Sequence, residues 1–197
     1  MKILLSSYRF APDVGGIESA SLTLAREWLN QGSQVRVITH TLAAGGDDAY
    51  PFEILRRPSA GALLAAVQWC DVYFHNNITL PILWPLALLR RPWVVAHQTW
   101  LTKADGRITW RERLKTAVLP LGTSVAISEA VAARLTVPAV VIDNPYREDL
   151  FRLLPEVPRT GTLAFLGRLV TDKGCDLLLD ALARLAQQGI TPPLTVI

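Results

Sequence analysis

Short apolar runs alternate with helical segments along almost the whole chain, and this alternation is the strongest constraint on its fold. The run Lys2–Ser7 has no polar alternation, as expected for a parallel strand that is buried on both faces. The following segment has apolar residues at helical spacing and reaches a typical helix end at Gly32. Strands separated by helices indicate βαβ units. We therefore predict an α/β protein with an open, parallel, Rossmann-like sheet flanked by helices.

The same reading assigns the remaining elements of the first 151 residues. Leu80–Leu89 is predicted as a buried helix because it is almost wholly apolar. The other predicted elements are the strands Gln34–Thr39, Phe52–Leu55, Asp71–His75, Trp93–Ala96, Ser124–Ile127 and Val140–Ile142 and the helices Ala60–Trp69, Arg107–Leu119 and Glu129–Leu135.

A change in composition near residue 152 predicts a domain boundary. Residues 152–160 are polar and contain two prolines, which is typical of an interdomain linker. The pattern then starts again with a strand (Thr162–Leu166), a helix (Lys173–Gln188) and a strand (Leu194–Ile197). We expect residues 1–151 to form the first domain and residues 161–197 to be the first βαβ unit of an incomplete second domain.

Composition excludes several classes of protein. With 197 residues, 50% apolar and 19% charged, the chain is not intrinsically disordered. A net charge of +3 gives no reason to expect a nucleic-acid partner. Cys70 and Cys175 lie too far apart in sequence to indicate a disulfide framework or metal cluster, which favours a cytoplasmic location. The longest apolar stretch is shorter than the about 20 residues of a spanning helix, which leaves only a peripheral contact with the inner membrane surface open.

Polar side chains follow several predicted strands at the edge where open parallel sheets bind ligands. All three histidines, His40, His75 and His97, come at or just after the end of a strand, and Asn76 follows His75. Because no carboxylate or cysteine accompanies the histidines at ligand spacing, we predict no metal site.

Two loops are candidates for binding phosphate. Gly15 and Gly16 precede the first helix, where backbone N–H groups and the helix dipole favour an anion; an ordinary glycine turn is the alternative. In the second loop Arg168 and Lys173 lie between a strand and a helix. An arginine can bind phosphate oxygens through two parallel hydrogen bonds, and a lysine adds a point charge.

Four segments, in order along residues 1–197, resemble the family 4 retaining glycosyltransferases, which have the GT-B fold of two facing Rossmann-like domains. The segments are Pro12-x-x-Gly15-Gly16-x-Glu18, Val94-Val95-Ala96-His97, Ile127-Ser128 followed by Asn144-Pro145-Tyr146-x-x-x-Leu150-Phe151, and Gly167-Arg168-Leu169-x-x-x-Lys173-Gly174-x-Asp176.

The resemblance implies roles for individual residues. Arg168 and Lys173 would bind the diphosphate of a nucleotide-sugar donor, and the backbone of Gly15 and Gly16 would meet it from the first domain. His97 would be catalytic, beside the transferred sugar. In the family the leaving phosphate is thought to act as the base, so no metal or other cofactor is expected. The acceptor, a glycan or glycolipid, would face His75, Asn76 and the loop 100–107.

The chain departs from the family at an acidic Glu-x7-Glu pair that the resemblance implies deeper in the second domain. Glu148 and Glu156 have this spacing, but they flank the predicted linker, so we expect the true pair beyond Ile197. We therefore expect the 197-residue chain alone to have little or no transferase activity and to bind nucleotide-sugar weakly. A non-catalytic binding module and a GT-B-fold epimerase stay open as alternatives. The sugar transfer that the resemblance implies suits a role in polysaccharide biosynthesis.

Two further surfaces can bind partners. The apolar faces of residues 161–197 would pack against the first domain or form a homodimer. In the helix Arg107–Leu119, Arg107, Arg111 and Lys115 share one face and apolar residues share another. This pattern is typical of a core helix with a solvated charged face, and it also suits contact with anionic lipid.

Overall fold

The chain divides into two compact units, Met1–Leu150 and Phe151–Ile197. The computed structural model describes residues 1–43, 45–101, 108–158 and 160–197.

The first unit is built on a seven-stranded parallel sheet. Its strands are β1 (Lys2–Ser7), β2 (Gln34–Thr39), β3 (Glu53–Arg56), β4 (Val72–Asn76), β5 (Trp93–His97), β6 (Thr123–Ala126) and β7 (Ala139–Val141). They lie in the order β3-β2-β1-β4-β5-β6-β7, and every neighbouring pair is parallel. The predicted open parallel sheet is therefore confirmed.

Helices connect these strands. They are α1 (Gly16–Asn30), α2 (Ala60–Trp69), α3 (Pro85–Leu88), α4 (Trp110–Val118) and α5 (Glu129–Ala132), with 3-10 helices at Leu80–Ile82 and Leu119–Leu121. Helix α1 ends close to Gly32, as predicted, because the backbone turns there into the left-handed region with φ of 83°.

The core lies on both faces of the sheet because successive side chains of a strand point to opposite sides. Leu4 of β1 packs in a cluster with Leu63 and Val67 of α2, whereas Leu5 packs in a second cluster with Ala25 of α1. A third cluster forms around Trp93 and Val95 of β5. Burial on both faces explains why the strands are continuous apolar runs in the sequence.

The prediction of a buried helix over Leu80–Leu89 was wrong. The segment forms a 3-10 turn and the short helix α3, and the side chains of Trp84 and Leu88 are 40% and 67% exposed. Pro81 and Pro85 explain the break, since a proline lacks an N–H group and its ring clashes with the preceding turn. Two apolar side chains predicted to be internal therefore lie on the surface.

The helix predicted over Arg107–Leu119 begins at Trp110 in the structure. Thr109 and Glu112 form a capping box at its start, and Leu119 begins a 3-10 turn that contains Pro120. Arg107 lies outside the described residues. Among the helices that the structure describes, none is both long and apolar enough to cross a membrane.

The second unit is small and open. It contains β8 (Leu163–Phe165), a 3-10 turn (Thr171–Lys173), α6 (Cys175–Ala186) and β9 (Leu194–Val196), and β8 and β9 pair in parallel. None of its described residues is buried. This follows from its size, since two strands and one helix cannot enclose a core.

Candidate functional site

The carboxyl ends of the central strands of the first unit form one polar edge. The register pairs Ser7 of β1 with Asn76 of β4, and Asn76 with Ala96 of β5. His97 follows Ala96 and pairs with Ala126 of β6. The predicted residues Asn76 and His97 therefore lie at the same edge of the sheet, on neighbouring strands.

Asn76 joins this edge to the first turns of helix α1. Its side-chain amide donates hydrogen bonds to Ser21 Oγ at 2.7 Å and to the Ile17 carbonyl at 3.2 Å. The Ser21 hydroxyl in turn donates to Ser7 Oγ at 2.8 Å. All three polar side chains are buried, so these bonds fix where α1 begins relative to the sheet.

A second set of contacts joins β4, β5 and the segment that follows β7. The backbone N–H of Gln98 donates to Asn77 Oδ1 at 2.8 Å. The side chains of Gln98 and Asn144 exchange two hydrogen bonds, at 2.8 Å and 2.6 Å. Asn77 has a φ of 65°, in the left-handed region that asparagine tolerates better than most residues. Gln98 directly follows the motif that ends at His97, and Asn144 begins another of the recognised motifs, but nothing in the sequence indicated that the two side chains pair.

His97 lies at the end of β5 with its ring buried. Nε2 is 3.1 Å from Ser124 Oγ, and Nδ1 has no hydrogen-bond partner among the described residues. Burial lowers the pKa of His97 to about 4, because a charged ring would lose its hydration. The imidazole is therefore neutral at pH 7 and can donate or accept one more hydrogen bond at Nδ1, according to its tautomer.

The structure corrects the position expected for His75. We expected it at the end of its strand, but β4 continues to Asn76 and the His75 ring is completely buried. Its ring centroid lies 4.3 Å from that of Tyr73 and 5.9 Å from that of Trp93. Within the described part of the chain, neither ring nitrogen has a hydrogen-bond partner, and burial lowers the pKa of His75 to about 3.

The two glycines before α1 differ in their surroundings. A Cβ atom added to Gly15 would come within 2.4 Å of Glu18 Oε2, because the Glu18 side chain folds back over the start of the helix. A Cβ atom added to Gly16 would meet no atom within 4 Å. A side chain at Gly15 would therefore require the Glu18 carboxylate to move, whereas Gly16 borders open space at the N-terminus of α1.

A polar cavity of about 890 Å³ adjoins the glycine loop. Arg9, His40 and Arg57 line it together with Pro12 and Asp13. His40 was recognised as a candidate from the sequence, and Pro12 and Asp13 belong to the glycine-loop motif. The arginines were missed because nothing in the local pattern distinguishes them from ordinary surface cations.

The second unit presents the other two predicted phosphate ligands. Arg168 and Lys173 are both exposed and lie in the loop between β8 and α6. Gly174, with φ of 74°, is the N-cap of α6, and no side chain caps the helix there. The first N–H groups of α6 are consequently available to an anion beside Lys173.

The structure thus brings Asn76, His97 and the Gly15–Gly16 loop to one edge of the first unit, and it places Arg168 and Lys173 together on one loop of the second. His75 lies inside the sheet. Of the loop 100–107, Thr102–Arg107 lies outside the described residues. Within the described ranges, no group of three His, Cys, Asp or Glu side chains could hold a metal ion.

Comparison with known proteins supports the fold. No family model matches the sequence, and no curated protein matches it. Among solved structures, the chain is similar to a glycosyltransferase from Rickettsia africae ESF-5, with a TM-score of 0.64 and 17% identity over 94% of this chain. It is also similar over its whole length to MurG of Acinetobacter baumannii, with a TM-score of 0.55 and 13% identity.

A third similar structure is an α-glucosyltransferase in complex with UDP and a 13-mer DNA that contains an HMU base, with a TM-score of 0.61 and 12% identity over 100% of this chain. The chain spans 57% of the R. africae protein, 67% of MurG and 66% of the α-glucosyltransferase. At these identities the comparison shows the fold, which is that of the GT-B glycosyltransferases.

Proposed function

We propose that this chain supplies the acceptor-side domain and the beginning of the donor-binding domain of a retaining family 4 glycosyltransferase. The transferase would move a sugar from a nucleotide-sugar to a glycan or glycolipid acceptor. The observation that carries the proposal is the position of the sequence motifs within a glycosyltransferase fold. The glycine loop opens α1 at the carboxyl end of β1, and the Gly-Arg-x4-Lys-Gly loop opens α6 after β8.

The resemblance implies that the donor diphosphate binds Arg168 and Lys173 in the loop before α6 and that the Gly15–Gly16 loop also meets it. Arg168 and Lys173 are exposed, so they can neutralise the charge that grows on the phosphate as the sugar leaves. The open space at Gly16 lets phosphate approach the backbone of α1 closely. Gly15 contributes to the same loop, and the Glu18 carboxylate beside it must avoid the diphosphate, since like charges repel.

His97 is proposed as the catalytic residue beside the transferred sugar. Because its ring is neutral at pH 7, it would act by hydrogen bonding to the sugar and not by supplying charge. The ring is as buried as the side chains of His75 and Asn76, so this hydrogen bond requires the end of β5 to open when substrate binds. Ser124 would hold the ring in place through Nε2. In this proposal the leaving phosphate serves as the base, and neither a metal nor another cofactor takes part.

The acceptor is proposed to lie on the first unit, as the resemblance implies for His75 and Asn76. Both side chains are buried, so their contribution would be indirect. Asn76 would hold the start of α1 through Ser21 and Ile17. We also propose a cytoplasmic location, in accord with the free thiols of Cys70 and Cys175.

The donor assignment is tested by titrating isotope-labelled protein with UDP, GDP and ADP and following its amide signals by NMR. This measurement suits the chain because it detects weak binding. We expect one diphosphate to shift the signals of Gly16, Arg168 and Lys173. Gly16→Ala should reduce the shifts without changing the fold, because a Cβ there meets no other atom.

Arg168→Ala with Lys173→Ala should abolish the shifts, whereas Arg152→Ala, which removes an exposed cation outside both loops, should leave them unchanged. Shifts that are absent at these residues for all three diphosphates would contradict the donor assignment.

A measurement of transferase activity distinguishes the proposed enzyme from the alternative, a non-catalytic binding module. The assay follows diphosphate release from nucleotide-sugars with glycan, glycolipid or duplex DNA as acceptor; DNA is included because one similar structure contains it. Retention predicts that the product keeps the anomeric configuration of the donor. Diphosphate binding without turnover by any chain that includes residues 1–197 would favour the binding module.

A further inference from the structure

Two adjoining grooves on the first unit form an apolar face bordered by cations. The first groove, of about 710 Å³, lies between α3 and α4. The second, of about 680 Å³, extends from α4 to Tyr8 and Asn77 at the carboxyl edge of the sheet. Leu80 and Leu114 line both grooves, so the two form one continuous surface, which we call the groove face.

Large apolar side chains are exposed on the groove face. Trp84, Trp100 and Trp110 are 40%, 49% and 68% exposed, and Leu121 is 78% exposed. Helix α4, which separates the grooves, has no buried side chain. The end of the helix packs on the core through Val118 and the adjoining Leu119, whereas its remaining apolar side chains are not buried. Contiguous exposed apolar groups of this kind mark a binding surface.

The charged side chains that line the groove face in the described part of the chain are all basic. Arg90 and Arg91 line the first groove, and Arg111 and Lys115 line the second. Among the residues that the structure describes, no carboxylate lines either groove. Glu112, the acidic residue of α4, forms the capping box with Thr109 at the start of the helix.

Tryptophans beside arginine and lysine match the chemistry of an anionic lipid surface. An indole ring has an apolar body and one N–H donor, and this combination suits the boundary between acyl chains and headgroups. Arginine and lysine place their aliphatic stems on apolar surface and their charges among lipid phosphates. The Arg111 guanidinium lies 5.3 Å from the Trp110 ring centroid, which brings both groups to the same point of the face.

We propose that the groove face docks on the surface of an anionic phospholipid membrane, with Trp84 and Trp110 among the acyl chains and Arg111 and Lys115 at the headgroups. A second copy of the chain fits less well, because a symmetric dimer would bring two cationic faces together. The proposal does not depend on the proposed function, since docking requires neither a donor nor turnover.

The test is co-sedimentation of the 197-residue protein with vesicles of phosphatidylcholine alone or mixed with phosphatidylglycerol. We expect binding to the anionic vesicles only, and weaker binding at high salt because exposed charges are screened. Lys115→Glu should weaken binding about tenfold. The matched control is Arg113→Glu, an equal change of charge on the same helix outside both grooves, and it should weaken binding less than about twofold.

Insertion of the tryptophans is measured with acyl chains that carry bromine, which quenches nearby indole fluorescence. We expect quenching of the native protein, and loss of most of it in the Trp84→Phe Trp110→Phe variant. Folded protein that fails to bind anionic vesicles, or equal effects of Lys115→Glu and Arg113→Glu, would overturn the proposal. Self-association that is detected by light scattering and abolished by Lys115→Glu would also overturn the proposal, because a second copy of the chain would then occupy the groove face.

Discussion

At the scale of the residue, the two buried histidines differ in what surrounds their nitrogens. His97 has the Ser124 hydroxyl beside one nitrogen, whereas His75 has aromatic rings on both sides and no hydrogen-bond partner among the described residues. Burial lowers the pKa of both rings. His97 thus forms a directed hydrogen bond at the sheet edge. His75 is a core side chain, and its ring resists protonation in the folded chain.

The lowered pKa values of the two histidines predict how the stability of the protein depends on pH. Well above pH 6.5 both rings are neutral in the folded and the unfolded chain. As the pH falls from 6.5 toward 4, the unfolded chain binds protons that the folded chain does not, so the free energy of unfolding decreases. The slope approaches about 1.4 kcal/mol per pH unit for each histidine. It levels off for each ring below its folded pKa, about 4 for His97 and about 3 for His75.

The measurement is urea unfolding at pH 7 and pH 5. His75→Leu should lose less stability between these two values than the native protein, because one of the two protonation sites is gone. At pH 7 the variant should be close to native stability, since the two ring nitrogens that it removes have no partner among the described residues. An equal loss of stability in both proteins would contradict this account.

At the scale of the element, Arg56 joins the loops that follow β1 and β2. It lies at the end of β3, and its guanidinium donates to Asp47 at 2.8–3.1 Å, to the Thr41 carbonyl at 2.9 Å and to the Ala11 carbonyl at 2.9 Å. These bonds hold the pKa of Asp47 below its ordinary value. Arg56 thus helps to fix the shape of the glycine loop and of the polar cavity beside it, together with the hydrogen bond from Thr41 Oγ1 to Asp13.

Arg56→Ala should destabilise the first unit by about 2–3 kcal/mol, because it leaves the Asp47 carboxylate and two carbonyls without their donor. Chemical denaturation measures the change. The control is Arg26→Ala on the exposed face of α1, which should change stability by less than about 0.5 kcal/mol. Equal effects of the two variants would show that the contacts of Arg56 contribute little.

At the scale of the whole molecule, the two units differ in how they bury apolar surface. The first has three core clusters around a seven-stranded sheet, whereas the second has no buried residue among those described. Leu166, Leu169 and Leu177 of the second unit are 70–73% exposed. Exposed leucines of this kind favour association, so we propose that the second unit mediates a homodimer.

Light scattering over a range of concentrations tests the dimer. We expect a dimer that Leu177→Glu converts to a monomer, because the substitution places a charge among the exposed leucines of the unit. Leu153→Glu, at an exposed position outside the helices and strands, is the control and should leave the dimer intact. A monomer at every concentration, with a second unit that is readily cut by protease, would show that the leucines are simply solvated.

The sequence alone predicted the alternation of strands and helices, because a strand buried on both faces must be a continuous apolar run. It also predicted which loops reach the ligand-binding edge, since the carboxyl ends of parallel strands meet there. Its errors were local in origin. One extra residue in β4 moves His75 inside the sheet, and two prolines expose Trp84.

The remaining features of the candidate site depend on contacts between residues that are distant in the chain. The hydrogen bonds of Asn76 to Ser21 and of Gln98 to Asn144 have no local signature, because each partner is positioned by a different strand or helix. The same holds for the groove face, which exists only once α3 and α4 lie side by side. Local pattern thus determined the layers of the fold, and tertiary packing decided which polar groups meet and which apolar groups stay exposed.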